Sequence, residues 1–313
     1  MAAHHHHHHH VDPGAGDRRV VLAIAVNLAL TLAQIAGGLV SGSLALVADA
    51  VHNFSDAVSL VIAFAARRVA RRPSDASMTF GYGRVEVVAA LINYTSLIIV
   101  GFYLVAEAIG RFIEPQGVDG WIVVAIAGVA LVVDVVTALL TYTLSKESVN
   151  IRAAFLHNVA DALGSVAVIV AGTLILLYDW RLVDPVVTLM IAAYILWQSF
   201  AEIGPVVRIL MNGSPADVAA ADVVARMRSV DGVHDVHHAH LWQMQEHASA
   251  LDAHLVIAEG AWDRADAIKA GVKKLLVEEF AIAHSTIEME CSRHACRDAQ
   301  TIGHRPEQAK RGH

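Results

Sequence analysis

Cysteine is nearly missing from this 313-residue chain: Cys291 and Cys296, both close to its end, are the only two. That excludes a disulfide framework, and a reducing cytosol suits this end of the chain. Charge is scarce as well, at 17% of residues, and it does not lean basic, since the formal net charge is −7. Lys and Arg gather in short connections without interleaved aromatics, which excludes nucleic acid as the expected partner. The opening MAAHHHHHHHVDPGAG lacks the charged start and apolar core of a cleavable signal peptide, so no cleavage is expected. Its seven successive histidines read as a purification tag rather than a native metal-collecting tract. Residues 1–17 are therefore set aside as a tag and disordered N-terminus.

Apolar residues are what the chain has in abundance: 56% of the total, with a mean hydropathy of +0.51. A bilayer-spanning helix needs about 20 mostly apolar residues. Six such stretches occur, near 20–40, 43–66, 86–110, 120–144, 153–178 and 184–204. The expected fold is an all-α, six-helix transmembrane domain over 18–208, followed by a small cytosolic domain over 209–292 and a disordered tail over 293–313. The cytosolic domain reads as α+β in the order αββαβ: a helix at 215–229, strands at 233–243 and 249–258, a helix at 262–280 and a strand at 284–290. Ser214 and Pro215 suit a helix cap and first turn, and MNGSP before them reads as a hinge. Arg18, Arg19, Arg67, Arg68, Arg71, Arg72, Lys146 and Arg152 fall on one side of the spans, which places both termini in the cytosol.

Within these spans, HNFSDA at 52–57 returns as HNVADA at 157–162. The second span runs outside to inside and the fifth the opposite way, so the two copies are antiparallel. Residues four apart share a helix face, about 5–6 Å between Cβ atoms. Each copy thus offers one imidazole and one carboxylate, and side by side the two close a four-ligand cage of His52, Asp56, His157 and Asp161. His52 lies near the middle of its span, whereas His157 follows Arg152 closely. Either the fifth helix starts below the membrane surface or the site lies nearer the cytosol.

Ionisable groups cost about 2.5–3.5 kcal/mol each within a membrane on insertion scales, so four together call for compensation. A divalent metal supplies it. Two imidazoles with two carboxylates suit Zn²⁺ and disfavour Mg²⁺, Ca²⁺ and Mn²⁺, which want more oxygen. Two ionised aspartates carry −2, one Zn²⁺ brings the site to zero, and protons on the histidines can take the place of the departing metal. Zinc/proton antiport follows as the expected mechanism. An intramembrane metalloprotease is excluded by the lack of a general base, since neither copy is His-Glu-x-x-His. A zinc-gated sensor remains the rival, and helix capping or packing is the structural alternative for the paired motif.

The motifs GSLALVADAVHNFSDA, MTFGYGRVEVVAALIN, HNVADALGS, the pair Asp184-Pro185, HLW and HSTIEME occur in this order between about residues 18 and 291. In this the chain resembles the cation diffusion facilitator family of metal/proton antiporters. The resemblance implies a homodimeric exporter in the plasma (inner) membrane, moving Zn²⁺ or a similar ion out of the cytosol, with a metallochaperone-like cytosolic domain. By position, His52, Asp56, His157 and Asp161 match the family's transport ligands, with Cd²⁺, Co²⁺, Ni²⁺ or Fe²⁺ as alternative cargo. His237, His254 and His284 match its regulatory metal ligands, and His240 and Glu290 are weaker matches. Cys291 and Cys296 either add ligands there or are free thiols.

Other polar residues are given supporting roles. Asp49, two turns before Asp56, serves as an outer relay or as a packing contact. Asn53 and Asn158 are expected to orient the ligands. Asp134 either handles protons or pairs with Asn27 or Gln34, the second being preferred. TFGYGR reads as a cytosolic turn with Arg84 and Glu86 as a structural pair.

Overall fold

In the computed structural model, residues 28–142, 149–245, 248–296 and 299–303 are described. The tag, Asn27, Lys146 and residues 304–313 lie outside them. Among the described residues, six helices come first: α1 (Leu28–Ser41), α2 (Leu44–Ala70), α3 (Arg84–Ile113), α4 (Gly120–Tyr142), α5 (Val149–Tyr178) and α6 (Val183–Leu210). After them come α7 (Ala220–Arg228), β1 (Val233–Gln245), β2 (Ala248–Ile257), α8 (Ala265–Phe280) and β3 (His284–Cys291). The chain divides into two compact units. One holds the residues up to Ala65 with Ile92–Glu202; the other holds Ala66–Leu91 with the residues from Ile203 onward. The connection between α2 and α3 therefore groups with the C-terminal residues and not with the helix bundle.

Among the described residues, four helices are long and apolar enough to cross a bilayer: Arg84–Ile113, Gly120–Leu139, Phe155–Tyr178 and Val183–Leu210. Only 17% of the α3 window and 22% of the α4 window is buried inside the protein. Ile99, Phe102, Val132 and Leu139 stay outward, an apolar surface suited to lipid and not to water. At 30 residues α5 is about 45 Å long, more than the roughly 30 Å hydrocarbon core, and its membrane-suited part is Phe155–Tyr178. Small residues let α4 lie close against α5: a Cβ on Gly172 would fall 2.9 Å from Val123, and one on Gly120 would fall 2.6 Å from the Gly172 carbonyl.

The buried N-terminus of α2 needs partners for its free amides, and Asp184 at the start of α6 supplies them. Its carboxylate accepts from Ser43 Oγ (2.5 Å), the Leu44 amide (2.9 Å) and the Ala45 amide (3.3 Å). Arg111 of α3 stands 3.6 Å from the same carboxylate and donates to the Gly42 carbonyl. Gly42 takes φ +73°, and a Cβ there would fall 2.6 Å from the Gly117 carbonyl. Three connections are thus knotted at one end of the bundle, and they fix how far along its axis α2 stands.

In the second unit, β1 pairs antiparallel with β2, and β2 parallel with β3, in the order β1-β2-β3. The parallel pair needs a crossover, which α8 provides. Val224, Met227, Val236, Leu255, Val272 and Leu276 form the core between helices and sheet. The αββαβ order is as expected, but α7 starts later than the Ser-Pro signal suggests. Its cap is Ala219, without a side-chain bond, because Ser214 donates to the Leu241 carbonyl instead (2.9 Å). Residues 299–303, expected to lie in a disordered tail, run beside β1. The His238 amide donates to Gln300 O (2.8 Å), the Ala239 amide to Thr301 O (3.0 Å), and Gly303 N to Ala239 O (3.2 Å).

Replacing Asp184 by Ala strips the α2 cap and leaves Arg111 only the half-exposed Glu107, 3.4 Å away, as counter-charge. We expect a loss of about 3 kcal/mol, seen as a lowered unfolding midpoint in detergent micelles, with Asp184→Asn intermediate. An unchanged midpoint would remove the cap from the account.

Candidate metal centres

Eight residues into α2 and eight into α5, the two copies of the motif face each other. His52 Nε2 lies 3.3 Å from Asp161 Oδ1 and 3.8 Å from Asp56 Oδ2. His157 Nε2 lies 3.1 Å from Asp56 Oδ2 and 3.5 Å from Asp161 Oδ2. One ligand atom from each residue falls within 4.8 Å of all the others. Tetrahedral zinc with bonds of about 2.0–2.2 Å places its ligand atoms roughly 3.3–3.6 Å apart, so the four groups need little movement to share an ion. Both ring nitrogens of His52 and Asp161 Oδ1 are buried without a hydrogen bond. A buried polar atom without a partner costs about 1–3 kcal/mol, and a cation at the centre would engage the lone pairs of His52 Nε2 and Asp161 Oδ1.

Three of the supporting residues are tied to other helices. Gln34 of α1 donates to Asp49 Oδ2 (2.8 Å) and accepts from Asn53 Nδ2 (3.3 Å), so α1 is tied to α2 by a buried polar chain. Asn53 thereby bonds Gln34 and not a cage residue, and Asn158 is half-buried beside His157. Asp134 does not pair with Gln34; it accepts from Ser165 of α5 at 3.0 Å. Tyr194 of α6 stands edge-on to the His52 ring, centroids 5.7 Å apart, and walls the cage on that side. A lone tyrosine in an apolar span carries no periodic signal, so the sequence did not single it out.

In the second unit, a different cluster forms on the sheet. His237 and His254 face each other across β1 and β2, with ring centroids 5.3 Å apart. Glu290 reaches both: Oε2 is 3.2 Å from His237 Nε2, and Oε1 is 2.7 Å from His254 Nδ1. Cys296 joins them, its amide donating to Glu290 Oε2 (3.1 Å) and its thiol lying 3.3 Å from Oε1 and 3.9 Å from His254 Nδ1. His237, His254, Glu290 and Cys296 each offer an atom within 4.8 Å of the rest. His284 is not brought to this group. It pairs with Ala250, four positions before His254, or about 13 Å along the strand, and its ring meets Phe80 at 5.6 Å. His240 is also outside it, its ring edge-on to His238. Arg84 bonds the Met244 carbonyl (3.0 Å) and Asn212 Oδ1 (2.6 Å), where a pair with Glu86 had been expected.

Burial opposes ionisation of Glu290, but hydrogen bonds from the Cys296 amide, His254 and the Cys296 thiol outweigh it and hold the carboxyl below its ordinary range. That carboxylate in turn holds the Cys296 thiol above its usual range. Cys291 is shifted the other way, chiefly by its hydrogen bond with His294 at 3.1 Å.

Helices fit to cross a bilayer, with an ion-sized cage of acid and imidazole between two of them, define an integral membrane transporter of cations. The profile of the cation efflux transmembrane domain matches residues 20–211, and that of the cation efflux protein cytoplasmic domain matches residues 215–292. The chain belongs to the cation efflux family, whose members are transporters and not enzymes. Among its relatives, a cadmium, cobalt and zinc/H(+)-K(+) antiporter of Bacillus subtilis is 31% identical, over 90% of this chain and 91% of its own. The zinc transporter ZitB of Pectobacterium atrosepticum is 35% identical over 88% and 86%. The metal cation efflux system protein CzcD of Cupriavidus metallidurans is 32% identical over 93% and 92%. The solved metal-bound C-terminal domain of the CzcD transporter from the same species is 27% identical, covering 23% of this chain and 99% of its own, with a TM-score of 0.22.

The opposed shifts of the two thiols give an expected order of reactivity. In metal-free protein near neutral pH, Cys291 is alkylated by iodoacetamide several-fold faster than Cys296, because only thiolate attacks. As pH is raised, its rate begins to climb at a lower pH than that of Cys296. Mass spectrometry of the two peptides measures this, and equal rates would contradict it.

Proposed function

We propose that this protein exports Zn²⁺ from the cytosol in exchange for protons, with His52, Asp56, His157 and Asp161 holding the ion midway. The observation that carries the reading is the cage: four convergent ligand atoms between two helices, with buried nitrogen and oxygen atoms left without hydrogen bonds. The names of the relatives, zinc transporters and a cadmium, cobalt and zinc antiporter, support the same cargo class. Two imidazoles favour zinc, cadmium or cobalt over the oxygen-seeking ions.

Exchange follows from competition for the same lone pairs. Metal needs unprotonated ligands, and protons arriving from the outer side displace it. With both termini in the cytosol, as the Arg-rich connections imply, Asp56 and His157 lie on the cytosolic side of the cage. Their side chains are 30% and 34% exposed, against 8% and 9% for His52 and Asp161. This asymmetry supports a state open to the cytosol and closed to the outside, ready to take up its ion. The plasma membrane is the expected location, and the name of the antiporter relative supports the proton as counter-ion.

We further read His237, His254 and Glu290 as a cytosolic metal site that regulates transport, within a domain over 209–292 through which two copies dimerise. The match to the cation efflux cytoplasmic domain supports this assignment.

Reconstituted in liposomes, the protein should take up radiolabelled zinc at a rate that rises with an opposing proton gradient. Asp161→Ala should cut that flux more than about 100-fold, since even outer partners of metal ligands cost 10–100-fold. Zinc flux indifferent to the gradient would rule out antiport. A zinc-gated sensor would move no metal at all.

A further inference from the structure

The cytosolic cluster contains a ligand that its strands do not supply. His237, His254 and Glu290 sit on β1, β2 and β3, and the pleat of the sheet brings them together. Cys296 lies beyond β3, after a turn in which the His294 amide bonds the Cys291 carbonyl (3.0 Å). It is returned to the cluster by two bonds to Glu290. Its sulfur lies 3.9 Å from His254 Nδ1, near the roughly 3.6 Å edge between sulfur and nitrogen in a tetrahedral site. His237 Nε2, on a side chain only 5% exposed, points into this group and has no hydrogen bond. It lies 3.2 Å from Glu290 Oε2 without the alignment of one, as expected where a lone pair is aimed at an ion.

A few residues further on, the chain touches the same part of β1. Gln300 and Thr301 accept from the amides of His238 and Ala239, the two residues after His237. The docking site exists because β1 is irregular between His237 and His240. His238 has φ +54°, which turns two amides away from β2. Arg228 adds a bond to Thr301 Oγ1 at 3.3 Å. A few main-chain bonds contribute little net stability against the entropy of ordering a segment so near the chain end. A metal–sulfur bond at Cys296 changes that balance.

We propose that Cys296 is the fourth ligand of the cytosolic metal site, and that metal binding through it fastens the C-terminal segment along β1 as a strap. This rests on reading the cluster as a metal site and deepens it. The strap makes the site selective for thiophilic ions, zinc, cadmium and cobalt, over magnesium, calcium and manganese. It also turns ion binding into a change in chain order. On binding, the thiol proton leaves to water as the metal–sulfur bond forms, and no electron is transferred.

Full-length protein titrated with Co²⁺ under reducing conditions tests this directly. A thiolate-to-cobalt charge-transfer absorption arises only from cysteine ligands, so the membrane cage and the N-terminal histidines are silent. The band should appear in the native sequence and in Cys291→Ser, and vanish in Cys296→Ser. Zn²⁺ should slow hydrogen exchange at the His238 and Ala239 amides in the native sequence but not in Cys296→Ser. A band that survives Cys296→Ser, or equal slowing in both proteins, overturns the strap. The underlying reading fails separately: if His254→Ala binds as much zinc as the native sequence, no cytosolic site exists. If His254→Ala loses zinc while the native sequence shows no band, the site stands without its thiolate and only the strap is lost.

Discussion

Two carboxylates and two imidazoles held together among Ala, Val and Leu side chains form an arrangement that is unfavourable until a cation arrives. Like-charged aspartates on opposing helices repel across a medium that screens poorly, and each unpartnered lone pair adds its own desolvation cost. A divalent ion removes both penalties at once, and protons do so less completely. Under the function proposed for them, the same four groups would hold metal tightly enough to select it and release it when protons compete. The bundle around them has to hold this unfavourable cluster in register while it is empty.

That support comes from contacts away from the cage. Asp184 caps the start of α2 and fixes its position along the axis, which sets the height of His52 and Asp56. The Gln34, Asp49 and Asn53 chain joins α1 to α2, and Ser165 with Asp134 joins α5 to α4. Gly120 and Gly172 let α4 and α5 lie nearly backbone to backbone. Each helix that carries a ligand pair is thus braced by a neighbour that carries none. In an apolar bundle these few polar contacts supply the specificity that apolar packing alone leaves loose.

The cluster on the sheet uses the other periodicity. A helix brings ligands together at four-residue spacing within one element, whereas a sheet brings them together by register between elements. His237 and His254 meet because they are cross-strand partners, and Glu290 meets them because β3 runs parallel to β2 at the right offset. One residue of slip in either pairing would send these side chains to opposite faces. The sheet site is therefore as precise as the cage, but its precision lies in pairings that no short stretch of sequence displays.

Local pattern alone determined the larger part of this protein: apolar stretches of membrane length, the αββαβ order, and the duplicated His-Asn-x-x-Asp-Ala motif that makes His52, Asp56, His157 and Asp161 visible as a set. All of these are written at spacings of two or four residues, or as continuous runs, where chain geometry leaves little freedom. Tertiary structure decided what depends on distant partners. Asp134 meets Ser165 and not Gln34, Ser214 serves Leu241 and not α7, and His284 lies four strand positions from the cluster that Cys296 joins. Those outcomes are set by strand offset, helix height and the return of the chain end, which the sequence fixes only through the energy of the whole fold.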